Sequence, residues 1–126
     1  MRLWEVEDAI AAHGAEIVET EHVTGGVWGR YLKPRKLVLL RKGLTHVGKI
    51  AALLHELEHV KNGDDGHQSP HEEERINRTV AHAVITADEW NRATQVLSAP
   101  RLEDIAVELN VPLWVVESYA DSLGPF

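Results

Sequence analysis

"LLHELEHVKNGDD", residues 53–65, sets two histidines four positions apart, with a glutamate directly after the first and a turn signal, Asn62-Gly63, behind them. His55-Glu56-Leu57-Glu58-His59 is an H-E-x-x-H run. Residues four apart on a helix differ by roughly 40° around its axis, so both imidazoles project from one face about a turn apart. Two ring nitrogens so placed can take two corners of a tetrahedral zinc, while Glu56, to their side, can reach a metal-associated water without binding the metal. The helix itself is written in the pattern around the motif. Thr45 is a fair N-cap, and Val47, Ile50, Leu53, Leu54 and Leu57 make an apolar stripe. Gly48, Ala51 and Ala52 keep the approach to the histidines small. The helix should run from about residue 45 to 61 and end in "NGDDG".

Upstream, Leu3, Val6, Ile10 and Ala11 stand at helical spacing, so residues 3–13 read as a helix. "EIVETEHV" (16–23) has enough β-branched residues for a short strand, and "TGG" (24–26) interrupts it. "VWGRYL" (27–32) and "KLVLLR" (36–41) follow as two strands of a hairpin turning through "KPR". Pro34 belongs in that turn because it cannot donate to a ladder. Downstream, a loop through "HQSP" should lead to one long helix from about 71 to the "SAP" break at 98–100. Two short helices, near 101–109 and 112–123, close the chain, with Asn110 suited to a left-handed link between them. The expected architecture is α+β, with a short antiparallel sheet and its hairpin. One domain spans 1–126: helix and sheet over 1–44, metal-site helices over 45–97, and a helical pair over 100–126.

The chain has no cysteine, which excludes thiolate metal ligation and a disulfide framework. "MRLWEVEDAIAAHG" carries acids in an amphipathic pattern and does not read as a signal peptide. No apolar stretch approaches the roughly 20 residues that span a bilayer, so a cytoplasmic protein with no membrane partner is expected. A net charge of −7 disfavours a phosphate backbone as partner.

The third metal ligand has two candidates. Asp65 nearly completes H-E-x-x-H-x-x-G-x-x-D, with Asn62 in the glycine's place, but that pattern needs a downstream methionine turn and the only methionine is Met1. The other is a glutamate of "HEEERINRTVAHAVI", where helix phase chooses among three. Glu72 precedes Ile76 by four residues, Glu74 precedes Arg78, and Glu73 precedes Asn77 on the stripe that continues into Val80 and Val84. Glu73 should therefore point inward, where a carboxylate needs a cation. Asn77, one turn later, can orient a ligating histidine through its second ring nitrogen. Glu72 and Glu74 read as a solvated first turn favoured by the helix dipole.

This order of hairpin, H-E-x-x-H helix and a helix opening with glutamate resembles the ImmA/IrrE family of zinc metallopeptidases, small gluzincin-like domains, over roughly residues 27–87. The resemblance implies a zincin-like fold holding one zinc through His55, His59 and Glu73, with Glu56 as general base and Asn77 in an acid-or-amide position beside the ligands. It implies metal-assisted hydrolysis of a peptide bond in a protein substrate, such as a helix-turn-helix regulator. Glu58 stands where the family commonly has glycine, Ile76 replaces an alanine, and "VITAD" replaces a Leu-Leu-Met-Pro-like ending.

Other residues bear on substrate and partner. His67, His71, His82, Arg75 and Tyr31 are candidate oxyanion donors, although a loop histidine such as His67 is ordinarily just solvated. The basic segment 30–42 would favour an acidic peptide along the sheet edge, or simply block aggregation there. "LEDIAVELNVPLWVVESYA" resembles a helix-turn-helix repeat with Ile105, Ala106, Leu109, Val111 and Val115 as packing positions. Residues 102–126 contain no base, so this pair should close the core or offer Leu113 and Trp114 to another protein, not bind nucleic acid. Trp90 reads as core. A non-catalytic metal-binding regulatory module is the rival to the peptidase, and it would have no need of Glu56.

Overall fold

A computed structural model of the chain describes residues 2–25 and 27–124. Gly26, part of the expected break at 24–26, lies outside them. The first helix, α1 (Leu3–Ala12), buries Val6 and Ile10 and leads into strand β1 (Glu16–Thr20). Strand β2 (Gly29–Leu32) and strand β3 (Leu37–Arg41) form the expected antiparallel hairpin, joined by a 3-10 turn over Lys33–Arg35 that contains Pro34. Lys36 closes the turn in the left-handed region, φ 49°.

The sheet is mixed, not antiparallel throughout. Its order is β1-β3-β2, and β1 runs parallel to β3 in the register Glu16↔Leu37 to Thr20↔Arg41. The reason lies in burial. β3 carries Val38 and Leu40, both essentially sealed from solvent, and takes the middle place where both of its edges are paired. β1 has glutamates at 16 and 19 and leaves Val18 43% exposed, a composition that suits an edge.

Helix α2 (His46–Asn62) is the axle of the fold and packs on α1, β2, β3 and the helix that follows it. Thr45 caps it, its hydroxyl accepting the Gly48 N–H at 3.0 Å. Gly63 ends it at φ 70°, donating to Val60 O, while the Asp64 N–H returns to His59 O. A left-handed residue costs glycine nothing, which is why the helix stops there. Its Ala51, Ala52, Leu53, Leu54, Leu57 and Val60 are all buried, whereas Val47 and Ile50 are half-buried. Each fully buried leucine or valine contributes about 1.5–3 kcal/mol of transfer free energy, before the entropy of ordering it.

The single long helix expected over 71–97 is two helices, α3 (Pro70–Val84) and α4 (Ala87–Val96). Between them Ile85 is extended and buried, and Thr86 starts α4 in a capping box, its hydroxyl accepting from the Glu89 N–H and its own N–H donating to Glu89 Oε1. "TADE" is that box in the sequence; apolar periodicity runs through it and hides it. Helices α5 (Leu102–Leu109) and α6 (Leu113–Ser122) meet at Asn110, φ 54°, as expected of that residue. They bury Ile105, Ala106, Val115, Val116 and Tyr119, and α6 lies along α3. Leu109 and Val111 are half-buried, and Trp90 is half-buried against Tyr119 at 4.8 Å between ring centres. The architecture is α+β: a three-stranded mixed sheet and six α-helices among the described residues. No helix among them is long and apolar enough to cross a membrane.

Candidate metal centre

Two helices and the loop between them build the site. His55 and His59 leave α2 on the same side, one turn apart, with ring centres 5.0 Å from each other. Glu73 approaches from the first turn of α3, which Ser69 caps by accepting the Glu72 N–H. Glu73 Oε1 lies 2.9 Å from His55 Nε2 and 3.2 Å from His59 Nε2, and the two Nε2 atoms are 3.3 Å apart. Glu72 and Glu74 turn outward to Arg75 and Arg78, the solvated first turn that helix phase predicts.

The outer hydrogen bonds determine what that triangle can hold. His55 Nδ1 donates to Asn77 Oδ1 at 2.7 Å, and His59 Nδ1 donates to Asp64 Oδ2 at 3.0 Å. In a neutral imidazole with a proton on Nδ1, Nε2 is a bare lone pair. In that tautomer both rings would present an Nε2 lone pair beside the Glu73 carboxylate oxygen. That arrangement is repulsive by itself and becomes favourable around a cation. The spacing agrees: donors about 2.0–2.1 Å from a tetrahedral zinc sit roughly 3.3 Å from one another. Burial works against the charge on Glu73, yet the Gln68 N–H on Oε2 at 2.9 Å and the nearby His59 and His55 hold its carboxyl below the usual carboxylate range.

His67 joins the cluster from the loop. His55, His59, His67 and Glu73 each offer a ligand atom within 4.8 Å of the others, so the four could hold a metal ion. Its Nδ1 is 3.6 Å from Glu73 Oε1, and its Nε2 is 3.5 Å from Glu56 Oε2, out of hydrogen-bond alignment. Glu56, first, and then Glu73 raise the His67 pKa above the ordinary imidazole value, against burial and the charge of Arg30.

Glu56 is only 2% exposed. Its Oε2 lies 4.0 Å from His55 Nε2, and its Oε1 is buried without a hydrogen-bond partner. A side chain at position 29 would strike it: a Cβ built on Gly29 meets Glu56 Cγ at 3.1 Å and Leu39 O at 3.2 Å. Glycine in β2 is what lets the carboxylate lie against the strand. A cavity of about 300 Å³ opens onto this group, lined by Glu56, His55, His67 and Glu73 together with Trp28 and Trp114. The two indoles meet edge to face at 6.3 Å, and Trp114 is 6.2 Å from the His55 ring.

The structure thus gathers His55, Glu56, His59, Glu73 and Asn77, and leaves Asp65 outside, where its Oδ1 accepts the Lys33 N–H at 3.1 Å. Of the candidate oxyanion donors only His67 lines the cavity; His82 pairs with Ser122, Arg75 with Glu72, and His71 is exposed. Sequence reasoning missed Asp64, whose role follows from the left-handed turn at Gly63 that folds the chain back beneath His59. Of the two readings left open for Trp114, core or docking patch, the structure favours the interior: the indole is half-buried and lines the cavity. Set against protein-family models, curated proteins and solved structures, the chain gives no match.

Proposed function

We propose that this chain is a zinc-dependent endopeptidase that hydrolyses a peptide bond in a specific protein substrate. The observation that carries the reading is Glu56, a buried carboxylate with an unpartnered oxygen, set beside converging imidazole and carboxylate donors at the mouth of a cavity. His55, His59 and Glu73 would hold the zinc, oriented by Asn77 and Asp64 through the distal ring nitrogens. Zinc in that place supplies a Lewis acid that polarises a carbonyl and brings the pKa of water to about 7.

The protein's own groups do the rest. Glu56 Oε1 is the atom free to take a proton from water entering the cavity and to return it to the leaving amine. Trp28 and Trp114 exclude bulk water and offer an apolar wall to a substrate side chain. The resemblance drawn above adds a regulator, such as a helix-turn-helix repressor, as substrate; the cysteine-free composition fits a cytoplasmic setting, and the net charge of −7 speaks against nucleic-acid contact by this chain. The presence of a fourth donor, His67, favours a second reading, a non-catalytic metal-binding regulatory module.

Glu56→Gln separates the two. Zinc content by elemental analysis should stay at about one per chain, as the four-coordinate site type requires, while cleavage of a proteome-derived peptide library, read by mass spectrometry, is lost. Cleavage at the wild-type rate with zinc still bound would end the peptidase reading.

A further inference from the structure

We propose that His67 is a fourth protein donor to the metal, and that the segment from Gly63 to Ser69 thereby shuts the site in the resting chain. This rests on the zinc peptidase reading and adds to it a regulated state.

Three observations converge. First, the half-buried His67 ring lies against the donor cluster: it stacks on His59 at 5.5 Å with planes 21° apart and lies 5.3 Å from His55. Its Nε2 is buried without an aligned hydrogen bond, facing Glu56 Oε2 at 3.5 Å, while its Nδ1 lies 3.6 Å from the donor oxygen Glu73 Oε1. Second, four protein donors make a closed site, whereas catalytic zinc keeps three and leaves one position for water or substrate. With His67 engaged, the fourth position is taken.

Third, the same segment covers the edge strand beside the cavity. The Gly66 N–H donates to Tyr31 O at 2.8 Å, and the Lys33 N–H donates to Asp65 Oδ1 at 3.1 Å. Those are backbone groups of β2 and its end that an extended peptide would use if it added to this edge. One short stretch therefore blocks both the metal position and the strand edge. The block is reversible in principle, because His67 is the one donor of the four that no helix carries. Gly63 opens the stretch that must swing and Gly66 lies within it, just before His67, at φ 70° and 69°, angles that other residues resist.

The test uses the full chain, freed of metal by a chelator and titrated with zinc or cobalt alone. In wild type labelled with 15N in its histidine rings, one equivalent of zinc should move three imidazoles to metal-bound shifts. His67→Ala should weaken zinc, measured by chelator competition, by at least about the 10–100-fold that losing even an outer partner costs. Cobalt-loaded His67→Ala should change its visible spectrum on adding acetohydroxamate, at concentrations that leave the wild-type spectrum untouched. Only two responding imidazoles, or acetohydroxamate binding equally to both proteins, overturns the inference and leaves the peptidase reading standing. Failure of wild type to bind zinc at all overturns both. The ring spectrum needs no variant, so misfolding of His67→Ala would not rescue the idea.

Discussion

Asp64 and Asp65 are neighbours with the same side chain, and the structure gives them different jobs. Asp64 Oδ2 accepts from the Nδ1 of His59, a ring with no solvent exposure, while Asp65 accepts from a backbone N–H at the surface. Replacing Asp64 by alanine leaves His59 Nδ1 buried without an acceptor, which costs the metal-free fold about 1–3 kcal/mol. It also frees the ring to turn, and loss of such an outer partner weakens metal by 10–100-fold, about 1.4–2.7 kcal/mol. For 126 residues the unfolding entropy is about 0.26 kcal/mol/K near 60 °C. At a fixed excess of zinc, the rise in Tm on adding metal should therefore be smaller by about 5–10 °C in Asp64→Ala than in wild type. Asp65→Ala should keep the full rise. Paired thermal melts with and without zinc read both quantities from the same samples. Equal zinc-induced rises in the two variants would refute the assignment of Asp64 as the residue that aims His59.

Glu73→Ala should lose zinc on dialysis against a weak chelator that wild type survives, whereas Glu74→Ala should retain it; elemental analysis decides. Gly29→Ala forces Glu56 or β3 to give way by a few tenths of an ångström, so it should lower stability by about 1–3 kcal/mol in urea unfolding and cut hydrolysis with zinc still bound. Thr86→Ala removes the capping box between α3 and α4 and should cost about 1 kcal/mol by the same assay, with zinc affinity unchanged.

The parts of the molecule that could be read from sequence are those where a local rule fixes direction. Helix periodicity placed both histidines on one face, and Thr45 and Gly63 bounded the helix. The phase of "EEE" singled out Glu73, and Asn77 fell one turn on. Where no rule fixes direction the reading stopped. A loop has no period, so nothing in "DDGHQS" said which aspartate turns back or that His67 faces in. Strand order is set by which strand loses most by staying exposed, a comparison across the whole sheet, and so the central place of β3 and the parallel pairing of β1 were not visible in either strand alone. The apolar rhythm of 76–97 concealed the Thr86 cap because a buried extended residue, Ile85, fits the same rhythm. Trp114 could face a partner or the interior, and only the packing of α6 along α3 decided it.

The donors span residues 55–73, a short run of chain, whereas the buried core ties Val6 to Tyr119. The sheet, α1, α2 and the C-terminal helices can thus assemble on hydrophobic contacts alone, and only the donor side chains, one loop and the start of α3 would lean on an ion. This is the reverse of a zinc finger, in which metal supplies the folding energy. Here an ion would be a late arrival to a finished scaffold. If the site takes zinc as proposed, the chain could be made and held empty and loaded afterwards, so that the free-zinc level of its surroundings would set how much of it carries the ion.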